Sequence, residues 1–139
     1  MSRPAIAEVD LQALLHNYRL AQEAAPDANT LAVVKANAYG HGALEVSRCL
    51  EPHVPALGVA CIEEALALRA DGIEKPILLL EGPFTQDEIE TAASEGFWLM
   101  LENASQVQWV LDAEPSQALT IWLKLDTGMH RLEIGRAHV

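Results

Sequence analysis

The segment Leu31–Gly42, LAVVKANAYGHG, sets a lysine at the end of an aliphatic run and follows it with small, turn-forming residues. Alternation puts Leu31, Val33 and Lys35 on one face of a strand. Tyr39, Gly40, His41 and Gly42 then form a loop able to bring a backbone or a phenol close to a ligand. Lysine is almost never fully buried unless paired, and desolvation turns an ammonium into a free amine that can condense with an aldehyde. Taken alone, a lysine at a strand end is more simply a salt-bridged group reaching for solvent. Its neighbours have to decide between the two.

Outward from this segment the pattern repeats. Strand-like runs begin at Leu31, Leu57 (LGVAC), Ile77 (ILLL), Phe97 (FWLML) and Leu119 (LTIWLKL), in steps of 26, 20, 20 and 22 residues. Each step is the length of a compact strand–helix unit. Between them the spacing predicts helices near 42–51, 62–71, 86–95 and 104–113, with Thr85 and Asn103 as capping residues. Upstream, Asp10 caps a helix from Leu11 to about Ala25 whose apolar stripe is Leu11, Leu14, Leu15 and Tyr18, with Pro26 beyond it. Ala5 to Val9 reads as a short strand ahead of that helix. Repeated β-α units imply a parallel sheet. Length favours a doubly wound sheet, because 139 residues fall well short of the roughly 250 of an eight-stranded barrel.

Composition narrows the function. Half the residues are apolar and 21% are charged, so a disordered or low-complexity chain is excluded. A net charge of −11 repels phosphate backbones and anionic lipid, which argues against a nucleic-acid partner. Charged residues interrupt every apolar run before the ~18 residues of a membrane helix, and the amino-terminal stretch lacks a targeting segment, so a cytoplasmic protein is expected. Cys49 and Cys61 stand without metal-ligand spacing and read as half-buried free thiols; no metal site is expected.

A second buried-looking lysine, Lys124, closes the last strand-like run and opens KLDTGMHR, residues 124–131. Together with AVVKANAYGHG, this motif resembles alanine racemase, the fold-type III family dependent on pyridoxal phosphate. AEVDLQALLHNY, LGVACIEEALALRADGI and PILLLEG resemble it too, so the likeness runs over residues 4–132. The resemblance is greatest to the proteobacterial branch. It overrides the length argument: the expected fold is α/β, the first five strands of an eight-stranded (β/α)8 barrel, preceded by a short strand and a helix. By the same resemblance Lys35 would hold the cofactor covalently and serve as a catalytic base. Tyr39 would bond the cofactor phosphate, Leu80 would touch its ring, and Arg131 would reach its phenolic oxygen and the substrate carboxylate. Lys124 is the position carbamylated in many members, where the anion so formed orients the arginine, with no salt bridge to Asp126 needed. The implied reaction is interconversion of L- and D-alanine by a homodimer, with a second base, a tyrosine, supplied by the partner subunit; wall synthesis and alanine breakdown both stay open as its purpose.

A non-catalytic pyridoxal phosphate homeostasis module of the same barrel is the alternative, but such proteins lack the KLDTGMHR loop; a fold-type III decarboxylase is disfavoured for the same reason. His41 and His130 have no carboxylate at a spacing that marks a dyad and are read as rim residues. Met129, Trp98, Trp109 and Trp122 read as packing, with Trp122 sharing the face of Lys124. Glu63, Glu64, Asp87, Glu88 and Glu90 read as a solvated helix face. The likeness stops at Leu132, so residues 1–132 are expected to form an incomplete barrel domain, inactive alone, and 133–139 (EIGRAHV) a tail foreign to it.

Overall fold

In the computed structural model, which describes residues 5–135, Asp10 starts the first helix as its sequence suggests. Its carboxylate accepts the amide hydrogens of Gln12 and Ala13, satisfying two of the free donors at the start of α1 (Leu11–Ala24). Leu15 and Tyr18 are the buried side of that helix. The Tyr18 hydroxyl donates to the carbonyls of Thr30 and His53, tying α1 to the entrance of the sheet, and burial pushes its phenol pKa up. The expected strand over Ala5–Val9 is not formed: residues 5–10 are irregular and exposed, since no strand among the described residues takes their backbone groups. Residues 1–4 and 136–139, which include the start of the likeness and most of the expected foreign tail, lie outside the described residues.

Five parallel strands follow, β1 (Ala32–Val33), β2 (Leu57–Val59), β3 (Ile77–Leu79), β4 (Trp98–Leu101) and β5 (Thr120–Leu123), paired in sequence order. Their starts lie within a residue of those read from the periodicity. The connecting helices are α3 (Ala43–Leu50), α4 (Ile62–Ala70), α5 (Glu88–Glu95) and α6 (Ala104–Asp112). Asn103 caps α6 by accepting from Gln106, as expected. Thr85 does not cap α5; Asp87 occupies that place. A sequential parallel order with β1 and β5 as its two edges is the arrangement of the first five strands of a β/α barrel, and a doubly wound sheet would instead reverse direction partway.

The core lies between the sheet and its helices. Leu57, Ile77, Leu79 and Leu99 from the strands meet Val46, Leu68 and Ile89 from the helices, all at most 3% exposed. Burying each aliphatic chain contributes about 1.5–3 kcal/mol. Strand residues of the opposite parity face the other way and stay wetter: Val33 is 41% and Trp122 47% exposed. Trp98 and Trp122 pack on that second face, ring centroids 5.9 Å apart, next to the position of Lys124. In a closed barrel this second face is the interior. Cys49 and Cys61 are free, half-buried thiols.

Candidate active site

The chemistry collects at the carboxyl ends of the strands, where β/α folds place their sites. Lys35 does not lie within β1. The last rung of its ladder is the bond from the Val34 amide to the Gly58 carbonyl, and Lys35 then opens a single helical turn, α2 (Lys35–Tyr39). Ala36, Asn37, Ala38 and Tyr39 all have φ between +50° and +56°, so this turn is left-handed where the sequence predicts only a loop. Each such residue costs roughly 1–2 kcal/mol. Alternation does hold up to the lysine, because Val33 and Lys35 share the cavity-facing side.

Lys35 is less enclosed than its aliphatic neighbours suggest. Its side chain is 27% exposed and its Nζ lies 3.8 Å from Oε1 of Glu81, so the lysine is paired with a carboxylate rather than sealed among hydrocarbons. The reason is geometric: the side chain leaves the sheet on its open face. Lys124 stands one residue past β5, its amide donating to the Leu101 carbonyl. Its Nζ sits 3.5 Å from Glu102 and 3.6 Å from Glu133, both carboxylates buried. Those two glutamates answer the charge of Lys124, and Asp126 takes no part. Burial raises the pKa of Glu102, and the ammonium of Lys124 works against that rise.

Asp126 belongs instead to the loop that follows. Its carboxylate accepts the amides of Gly128 and His130 and pairs with the His130 ring at 2.5 Å, so His130 does have a carboxylate partner, four residues back. Those bonds, led by the one from Gly128, hold the Asp126 pKa below the usual range. His41 is a rim residue as expected, its ring against the Ala38 carbonyl. Glu64 is not part of a solvated helix face: it accepts the amide hydrogens of Ala36 and Ala60.

Lys35, Tyr39, Leu80, Lys124 and Arg131 all line one cavity of about 260 Å³, together with Glu81. The sequence reading named five of these six. Tyr39 is 63% exposed at the rim, and Arg131 stands on the exposed loop after the Asp126–His130 pair. Three cations of a chain holding only nine Lys and Arg, at net charge −11, converge here. Lys35 and Lys124 are answered by carboxylates, so the cationic group left for a small anionic ligand is the Arg131 guanidinium, and a primary amine among the lining groups suits an aldehyde.

The sequence matches the family described as "Alanine racemase, N-terminal domain" over residues 9–135. The chain belongs to the alanine racemase family. It is 51% identical over 130 residues to the alanine racemase of Pseudomonas syringae, a match covering 94% of this chain and 36% of that protein. It is 50% identical over 130 residues to the catabolic alanine racemase of Pseudomonas aeruginosa, covering 94% of this chain and 36% of that one. The crystal structure of the biosynthetic alanine racemase from Pseudomonas aeruginosa superposes with a TM-score of 0.87 at 46% identity, over 93% of this chain and 36% of that one. The chain therefore spans about 36% of the length of these relatives, and the five strands are the amino-terminal part of the racemase barrel.

Glu81 and Glu102 were missed from the sequence, and a signal for them exists. Each closes an apolar run, ILLLE and LMLE, with the acid at the carboxyl end where the sites lie. Glu64 carries a weaker signal, a glutamate in the first turn of a helix whose cap, Cys61, makes no side-chain capping bond.

Proposed function

We propose that the chain carries the lysine-bearing part of a pyridoxal phosphate-dependent racemase that interconverts L- and D-alanine. The observation that carries this is the convergence of Lys35, Tyr39, Lys124 and Arg131 on one cavity within a racemase barrel. The donor set fits the cofactor: an amine for its aldehyde, and a phenol and a guanidinium for its anionic groups. When bound, the cofactor supplies an electron sink that acidifies the α-hydrogen of the amino acid.

The residues of this chain then have separate tasks. Lys35 would hold the cofactor through Nζ, and its amine would be the base that takes or returns the α-proton on its own face. Arg131 holds the substrate carboxylate with a planar, permanently charged fork, and Tyr39 donates its hydroxyl to the phosphate at the rim. Leu80 gives an apolar surface for the ring. Inversion requires a proton from the opposite face, which the family resemblance assigns to a tyrosine of the partner subunit in a homodimer. Lys124 is placed to steer Arg131, as a carbamate in that resemblance; Glu102 and Glu133 beside it would then have to give up their ionic contacts. A cytoplasmic role supplying D-alanine for the cell wall goes with this reading, and no described helix is long and apolar enough to cross a membrane.

The test is borohydride reduction in the presence of pyridoxal phosphate, followed by peptide mapping. The expected product is a pyridoxyl group on Lys35. Labelling confined to Lys75 or Lys124 would refute the assignment.

A further inference from the structure

We propose that Glu64, on α4, is a positioning residue that fixes the direction in which Lys35 leaves the sheet. The inference rests on the reading of Lys35 as the cofactor-bearing lysine. Glu64 Oε1 accepts the amide hydrogen of Ala36 at 2.7 Å, and Oε2 accepts that of Ala60 at 2.8 Å. One carboxylate thus joins the residue after Lys35 to the end of β2. Both bonds run to an ionised acceptor, the stronger kind of hydrogen bond.

The left-handed turn depends on such a clamp. Its four non-glycine residues at positive φ are disfavoured one by one, and of them only Ala38 is buried beneath the turn. A cavity of about 260 Å³ lies there, lined by Val34, Asn37, Ala43, Leu44 and Glu64 itself. What holds the turn is polar: Ala38 N–H to the Val34 carbonyl, Ala43 N–H to the Asn37 side chain, and Ala36 N–H to Glu64. The second ties the turn to the start of α3, and the last, through α4, ties it to the end of β2.

The arrangement repeats at a second corner. Gln106, in the first turn of α6, accepts the Glu102 amide and donates to the carbonyls of Glu81 and Pro83, joining the ends of β3 and β4. In each case a side chain three residues into the helix from its cap takes the amide four residues back and lends its other polar atom to the preceding strand end. Strand ends bearing the cavity residues are thereby coupled in pairs. Glu64 is the member that touches the backbone next to Lys35.

The experiment compares the full 139-residue chain with Glu64→Ala and Glu64→Gln, following two readouts. Pyridoxal phosphate with borohydride gives the labelling rate at Lys35, with Lys75 as internal reference, and hydrogen exchange gives protection at the Ala36 amide against the core amides of Leu57 and Leu79. For Glu64→Ala the expected result is a fall of about tenfold in Lys35 labelling, which is ~1.4 kcal/mol, with Lys75 unchanged and protection lost at Ala36 but kept at Leu57 and Leu79. Glu64→Gln, whose single amide oxygen can still serve Ala36, should recover most of the rate. Equal Lys35 labelling in Glu64→Ala and the parent overturns the proposal. If Glu64→Ala loses core protection, Glu64→Leu, which fills the space without an acceptor, decides: a folded core with Ala36 unprotected and Lys35 labelling lowered supports the clamp, and unchanged Ala36 protection with unchanged labelling overturns it. If the parent chain itself labels nowhere at Lys35, the cofactor reading fails, while Ala36 exchange still judges the clamp by itself.

Discussion

Glu81 Oε1 lies 3.8 Å from Nζ of Lys35, a carboxylate facing the one amine expected to hold an anionic cofactor. Both side chains are about a third exposed, so the pair is screened and contributes no more than ~1 kcal/mol to folding. Its effect on a ligand is larger than its effect on stability, because a phosphate entering the cavity meets the same negative charge. Glu81→Gln is expected to change stability by less than ~1 kcal/mol and to tighten binding of pyridoxal phosphate severalfold, as read by titration of the cofactor's absorbance. Weaker binding would show that Glu81 supports the ligand directly.

Glu102 gives a pH signature. Burial raises its pKa in the folded chain, so between the ordinary glutamate value and the raised one the folded state holds a proton that the unfolded state has released. Stability from this group is therefore present at acid pH and lost as pH rises through the folded value. Glu102→Gln removes that loss. In urea melts the variant should gain on the parent steadily as pH is raised from the acid side to neutrality. A gap that shrinks on the same path would mean that Lys124 outweighs the burial.

How far the sequence reached is clear from individual positions. Leu57, Ile77 and the Asp10 and Asn103 caps were readable because strand alternation and capping are local, and they came out within a residue. Lys35, Tyr39, Leu80, Lys124 and Arg131 were placed by family motifs, and they do share a cavity. Glu64, Glu81 and Glu102 escaped because their partners lie 22 to 46 residues away, across strand ends that only the fold brings together. The handedness of α2 escaped for a different reason: nothing in Ala-Asn-Ala-Tyr favours positive φ except Asn37, and the surrounding bonds impose it. Ala5–Val9 forms no strand because the family resemblance pairs it with a carboxyl-terminal β domain, and nothing beside it among the described residues takes its backbone groups.

Gly82 follows Glu81 and has φ +67°; a Cβ there would stand 2.2 Å from the Met100 carbonyl oxygen and 2.8 Å from Gln106 Nε2. Backbone on one side and a buried amide on the other leave nothing that can yield cheaply. Gly82→Ala is expected to cost about 2 kcal/mol or more, measured from the urea midpoint at constant slope. A neutral result would mean that the β3 and β4 corners are not held together as the Gln106 bonds indicate.

Ala36 offers a test by sign. It is exposed, with φ 50° and ψ 50°, so its methyl group packs on little and its backbone is strained. Glycine at this position relieves the left-handed cost of roughly 1–2 kcal/mol and loses about 0.5–1 kcal/mol through the freer unfolded chain. Ala36→Gly should therefore stabilise the chain by up to ~1 kcal/mol, whereas in a right-handed helix the same change costs about 1 kcal/mol. A destabilised variant would mean that the turn after Lys35 winds the ordinary way. The lysine would then leave the sheet in another direction, and its convergence with Arg131 and Lys124 would be lost.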